Sequence, residues 1–262
     1  MRKLFGALMV CCGLALGTAS AQAEKVSTPK VLNVGCEGAF APFTFIDDQG
    51  KISGFDIDII RAIGESLGYK VNINVLPFDG LIPALVTSNI DLIISGFTIT
   101  EERGKKVDFS DPYYMCSLTY LVHEKDVKEL DSLNKLNGKQ VCVQIGTTGA
   151  LYAQSHLVEA TIKQFNSPPE TYLELQNSGC RAVINDKPVN DYFLTKNKVD
   201  NIKSVNIDAA DATREYYGIA VRKGDKKMLD LMNKGLDLVK KNGKFKEVSV
   251  SWFGYDITDT LK

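Results

Sequence analysis

The sequence predicts an α/β fold of two lobes, each a mostly parallel sheet with helices packed on it. Three observations predict it. Short apolar strand patterns alternate with helical ones along most of the chain. The alternation completes one series and restarts near Lys139. No Pro-, Gly- or Ser-rich linker separates the two series, and the joining stretches, Tyr113 to Ser117 and Thr213 to Tyr217, read as ordered strand.

In order, Lys30 to Cys36 is a short apolar strand ending in a glycine-containing loop. From Asp56 to Leu67, Ile59, Ile60, Ile63 and Leu67 share one face at helical spacing, and Gly68 stops the helix. Val71, Ile73 and Val75 alternate strictly, the pattern of a half-exposed strand. Gly80 to Thr87 reads as a second helix, and Ile90 to Ser95 as a strand, apolar apart from Asp91. In the second series Lys139 to Gln144 is a strand, followed by a loop at Gly146 and an apolar-periodic helix around Leu151 to Leu157. Arg181 to Ile184 is the next strand, leading through Asn185, Asp186 and Pro188 into a helix near Val189 to Thr195. Tyr217 to Arg222 is again a strand. Lys226 to Lys241 is a long amphipathic helix with Leu229, Met232, Leu236 and Val239 on one side; Gly243 ends it, and Phe245 to Phe253 is a last short helix.

The 262 residues, 44% apolar and 24% charged, are enough for one or two packed domains and exclude disorder or a fibre. Lys and Arg number 31 against 32 Asp and Glu, so there is no basic excess to neutralise phosphates, and no nucleic acid partner is expected. Beyond Lys25 no apolar run reaches the roughly 18 residues that a membrane-spanning helix needs. His123 and His156 are the only histidines, which excludes a site built on several imidazoles; both read as structural or surface residues, and no metal or cofactor is expected.

The N-terminus has the parts of a secretory signal: Arg2 and Lys3, the apolar stretch Leu4 to Leu16, and the small-residue pattern Ala21-Gln22-Ala23. Residues 1–23 are expected to be removed before Glu24, which takes the formal charge from -1 to -3. Val10 stands before Cys11, where a lipid anchor requires a small residue, so a soluble periplasmic protein is expected rather than a lipoprotein. Cys36, Cys116, Cys142 and Cys180 remain, without a C-x-x-C pair. An oxidising compartment permits disulfides. All three complete pairings stay open, and so does a role for the four as small buried apolar residues.

Chemistry-bearing residues collect where the strands end: Glu37 and Phe40, Phe78, then Gly96, Thr98 and Arg103, then Gln144, Gly146, Thr147 and Thr148, then Asn185 and Asp186. In open α/β sheets ligands bind beyond the carboxyl ends of the strands. Thr100 reads as a helix N-cap with Glu101 and Glu102 in the first turn. Arg103 can grip a carboxylate with two hydrogen bonds, or pair on the surface with Glu102 or Asp111. Asp186 can accept an ammonium group or cap the helix that follows. Phe40 and Phe78 can be ligand platforms or core. The turn at Gly146, Thr147 and Thr148 can offer N–H groups and hydroxyls to an anion, but it lacks the lysine and length of a phosphate-binding loop.

Five segments in order carry a resemblance: Phe40-Ala-Pro-Phe-Thr-Phe, Gly54-Phe-Asp-Ile-Asp-Ile, Gly80-Leu-Ile-Pro-Ala-Leu, Thr98-Ile-Thr-Glu-Glu-Arg and Val107-Asp-Phe-Ser-Asp-Pro-Tyr-Tyr. The chain resembles, from about Lys30 to Phe253, the extracellular solute-binding proteins of polar amino acid ABC transporters. The resemblance implies the two-lobe periplasmic-binding-protein fold, with two hinge strands. Residues 24–112 and 218–262 would form the first lobe, 113–117 and 213–217 the hinge, and 118–212 the second lobe. It further implies that Arg103 takes the α-carboxylate of a free L-amino acid, helped by Thr98 and the Thr148 backbone. Asp186 would take the α-ammonium with the Gly96 carbonyl and Thr98 hydroxyl, and Phe40 and Phe78 would sandwich the side chain. Glu37, Gln144 and Asn185 fall where such proteins read the side chain. Gln144 and Asn185 stand where glutamine-binding members can carry Lys and His, so positive charge is missing there. Arginine or lysine is therefore ranked above glutamine, with cystine and histidine behind. The implied partner is an inner-membrane ABC permease and the implied state a monomer. The alternative is a cleft enzyme of the same fold, like cyclohexadienyl dehydratase, with Glu37 or Asp186 as proton donor. A receptor ectodomain would need a membrane segment that does not follow before Lys262.

Overall fold

The computed structural model describes residues 30–207 and 214–261. The expected leader with its cleavage point before Glu24, residues 24–29 and 208–213 of the expected lobes and hinge, and Lys262 lie outside the described residues.

In chain order, β1 (Lys30–Cys36) leads into a small antiparallel sheet of β2 (Ala39–Phe40), β3 (Thr44–Ile46) and β4 (Ile52–Ser53). Then come α1 (Phe55–Leu67), β5 (Tyr69–Val75), α2 (Leu81–Val86), β6 (Leu92–Ile93), α3 (Glu101–Gly104) and β7 (Val107–Phe109). A crossover strand, β8 (Tyr114–Cys116), enters the second lobe. That lobe holds β9 (Leu118–His123), β10 (Gln140–Gln144), α4 (Thr148–His156), β11 (Thr161–Phe165), α5 (Pro168–Gln176), β12 (Ala182–Asp186), α6 (Lys187–Lys196) and β13 (Ile202–Asn206). The chain returns through β14 (Glu215–Tyr217) to β15 (Ala220–Arg222), α7 (Lys226–Lys241) and α8 (Lys244–Phe253).

The two main sheets share one plan. The first has strand order β5-β1-β6-β15-β7 and the second β11-β10-β12-β9-β13. In each, three adjacent strands run parallel and the fourth is antiparallel. That fourth strand is the one that follows a crossover. The crossovers β8 and β14 pair antiparallel with each other, Glu215 opposite Cys116 and Tyr217 opposite Tyr114.

Helix α1 shows why the elements lie where they do. Gly54 precedes it at φ 133, where a Cβ would stand 2.0 Å from the Phe43 carbonyl oxygen, so only glycine lets the chain pass. Ile59, Ile60 and Ile63 are fully buried against α7 and α8, and left-handed Gly68 closes the helix as its position in the sequence requires. Helix α7 matches its expected bounds; Asp225 caps it by accepting from the Met228 N–H at 3.0 Å, and Met232, Leu236 and Val239 are buried.

Three expected elements differ. The Ile90 to Ser95 strand shrinks to Leu92–Ile93. The Tyr217 to Arg222 strand breaks at Gly218 and Ile219, whose N–H groups turn to the Phe97 carbonyl and the Ser110 hydroxyl instead of a strand partner. Helix α4 begins at Thr148 and buries Thr148, Gly149, Ala150 and Ala153, while Leu151, expected on the apolar face, is 52% exposed. Cys142 and Cys180 form a disulfide, and Cys36 and Cys116 are free and buried, so the four cysteines divide between the two alternatives.

Candidate functional site

The two lobes meet over a cleft at the carboxyl ends of their strands, and hydrogen bonds cross it. From the first lobe, Arg103 is held by α3, whose N-cap Thr100 accepts from the Arg103 N–H at 3.2 Å. Its guanidinium donates to the Thr98 carbonyl at 2.8 Å and, across the cleft, to the Gly146 carbonyl at 3.1 Å. It lies 4.2 Å from the Phe97 ring centroid and 5.3 Å from that of Phe78. The surface alternative is therefore settled: Arg103 is 8% exposed, and Glu102 pairs with Lys105 instead. Burial lowers its pKa to about 10, with the charges of Asp186 and Glu215 working the other way; it stays a cation at neutral pH.

From the second lobe, Asp186 ends β12 and stands at the N-cap of α6, but its side chain makes no capping hydrogen bond. Its carboxylate accepts instead from the Tyr217 hydroxyl of the returning crossover. Burial pushes its carboxyl up to about 6, against the opposing pull of Tyr217 and Arg103. Glu215, on the same crossover, accepts from the Thr148 hydroxyl at 2.9 Å, and burial followed by the Asp186 charge raises it to about 8.

At the other end of the cleft, Gln144 donates to Glu37 Oε1 at 2.7 Å and to the Asn166 carbonyl at 3.0 Å. Glu37 is 4% exposed, and burial pushes its carboxyl to about 8. Glu37 Oε2 and Gln144 Oε1 are buried and have no hydrogen-bond partner. A buried polar atom left unpaired costs about 1–3 kcal/mol, so the pair marks a place for a group that donates hydrogen bonds.

Phe40 and Phe78 are both buried, and Phe78 serves as a face for Arg103. Gly96 is left-handed at φ 52, and a Cβ there would stand 2.5 Å from the Phe40 ring, so glycine lets that ring close on the loop. Its N–H donates to Asp56 Oδ2 at 2.6 Å, which also accepts from the Tyr113 hydroxyl at 2.9 Å. Thr98 is buried and bridges to Tyr217. Asn185 gives its amide N–H to the Tyr172 hydroxyl, within the second lobe's own network.

Arg103 reaches Gly146 and Glu37 meets Gln144 directly across the cleft, while Thr148 and Asp186 are each held by a different crossover residue, Glu215 and Tyr217. Glu215 and Tyr217 were missed because their place depends on crossover pairing, which spacing does not reveal; an acid within a segment already read as hinge was the available signal. Among the described residues, metal-ligating atoms of Cys116, Asp186 and Glu215 lie within 4.8 Å of one another. Burial holds the Cys116 thiol well above its ordinary range, so it is a neutral thiol there and a poor ligand.

The model of the bacterial extracellular solute-binding proteins, family 3, matches residues 32–255. The chain is 33% identical to a probable histidine-binding protein of Neisseria gonorrhoeae, over 97% of this chain and 96% of that one. It is 34% identical to an L-arginine-binding protein of Pseudomonas aeruginosa, over 87% and 90%. The structure of an ancestral arginine-binding protein bound to glutamine superposes with a TM-score of 0.81 at 40% identity, covering 87% of this chain and 99% of that chain.

Proposed function

The chain belongs to the bacterial extracellular solute-binding proteins, family 3, and from that premise we propose that it is the periplasmic substrate-binding component of an amino acid ABC importer. It closes its lobes over one polar L-amino acid and delivers it to an inner-membrane permease. The observation that carries this reading is the pair of buried, unpartnered acceptors, Glu37 Oε2 and Gln144 Oε1, in a cleft whose far end brings Arg103 and Asp186 together.

A free amino acid carries opposite charges on neighbouring groups, and burying either unpaired is costly. Arg103 on one lobe and Asp186 on the other answer both, and only closure brings them together. The ligand therefore favours the closed state by what that state alone completes. The side-chain end demands donors, which a guanidinium, an ammonium or a carboxamide supplies and a carboxylate does not. Burial holds Glu37 mostly protonated at neutral pH in the empty cleft, and a cationic side chain is the partner that lets it ionise there. Arginine or lysine ranks first, then glutamine, then cystine and histidine.

The protein acts as a monomeric carrier, exported by residues 1–23. No helix of the described residues is long and apolar enough to cross a membrane, in keeping with that role. The relatives named above are binding proteins, which supports binding over turnover. A thermal-shift screen of the common amino acids and cystine tests the reading. Arginine or lysine should give the largest shift; glutamate as the sole strong hit, or turnover of a cyclic carboxylic acid with no amino acid bound, refutes it.

A further inference from the structure

Glu215 is an acid of the cleft to which neither sequence logic nor the reading above gives a role. It lies on the hinge ribbon, directly opposite Cys116, and its carboxylate meets the Thr148 hydroxyl and stands beside that of Asp186. One oxygen accepts from the Thr148 hydroxyl at 2.9 Å, which fixes the group's orientation and leaves acceptor capacity on a carboxylate that has about four lone-pair sites. One oxygen each of Glu215 and Asp186 lies within 4.8 Å of the other. Two acceptors at that separation can both reach a single ammonium nitrogen set between them at about 2.8 Å from each. The charges of both acids act on the Arg103 guanidinium, so a carboxylate held by Arg103 would carry its neighbouring ammonium into the gap between them.

We propose that Glu215 is a ligand-contacting residue, a second carboxylate acceptor for the α-ammonium, so that the head group is read by two acids and one guanidinium. This rests on the amino-acid-binding reading above. It makes the site discriminate α-amino acids from carboxylic acids that lack the amine more strongly than Asp186 alone would. The crowding of two buried acids is relieved when the cation enters, and the hydroxyl of Thr148 keeps Glu215 in place for it.

A chemical cycle tests the assignment. L-Arginine and L-glutamine are compared with their counterparts lacking the α-amino group, δ-guanidinovalerate and glutaramate, on the wild type and on Glu215→Gln, by calorimetry and by displacement of bound amino acid. The substitution is isosteric and replaces a group that burial holds mostly neutral in the empty protein, so the fold should persist, as urea unfolding will report. In the variant the amino acids should bind about tenfold to hundredfold more weakly, the range for losing a hydrogen bond to a charged group. The des-amino acids should change by less than about threefold. Equal losses for both classes would make Glu215 a hinge-positioning residue only and overturn the proposal. No loss for either overturns it as well. A wild type that binds none of the four overturns the reading beneath it instead.

Discussion

Replacing Glu37 by Gln separates the charge of the side-chain end from its shape. The variant keeps an acceptor toward Gln144, whose amide sits 2.7 Å away, but loses the negative charge. For arginine or lysine the wild-type carboxylate contributes a charge-assisted hydrogen bond worth about 1.5–3 kcal/mol. Burial, however, holds the empty group near 8, so below that pH the ligand must first drive off a proton. Each unit below costs about 1.4 kcal/mol. Arginine affinity should therefore fall in E37Q by the full amount near about pH 9, and by about 1.4 kcal/mol less for each unit below about 8. Glutamine affinity should change by less than about threefold at any pH, because glutamine's own carboxamide can turn its carbonyl to the new N–H group. Calorimetry across pH, in buffers of different ionisation enthalpy, reads both affinity and released protons. A loss for arginine that ignores pH, or an equal loss for glutamine, refutes the reasoning.

Arg103→Ala removes the proposed head-group cation together with its bonds to the Thr98 and Gly146 carbonyls; binding should weaken by roughly 3–5 kcal/mol, and a calorimetric loss below about 1 kcal/mol counts against the site. For the ligand-free protein, burial raises Glu37 and Glu215 to about 8, Asp56 to about 7 and Asp186 to about 6. Their unfolded values are near 4, so between these limits the folded state holds more protons than the unfolded one and stability falls as pH rises. The Tm should thus drop from about pH 5 to about pH 8; a Tm that rises over that range contradicts the assigned ionisation. Replacing Cys142 and Cys180 together by Ser opens a loop of sequence separation 38, which the chain-entropy relation values at about 4 kcal/mol. The urea midpoint should fall by a matching amount, and an unchanged midpoint would show that the bond contributes nothing.

What the sequence showed plainly was what strong periodicity or end chemistry encodes. Helix α7 was legible because its apolar residues recur every turn beneath a capping Asp225. Helix α4 was misread because its buried face is built of Thr148, Gly149, Ala150 and Ala153, small residues with little hydrophobic signal. A Cβ at Gly149 would lie 3.1 Å from the Ile184 carbonyl oxygen, which shows how closely that face packs. Strand β9 is buried along its whole length and so shows no alternation to read. In the cleft, Arg103, Asp186 and Glu37 were accessible to reasoning because each follows a strand. Glu215 was not, since its position depends on which crossover residue lies opposite Cys116. The disulfide was out of reach for the same reason: its partners meet because β10 and β12 are neighbours in the sheet, a fact of topology.

The pairing of β8 with β14 has a mechanical result. Two strands zipped together bend as one band, so the halves of the molecule can swing about a single axis and are denied independent wobble and twist. Such a joint leaves the unliganded protein a narrow arc to explore, and shutting it surrenders little orientational disorder. Prying the band apart where Met115 pairs with Tyr216 would loosen the grip on every cargo alike.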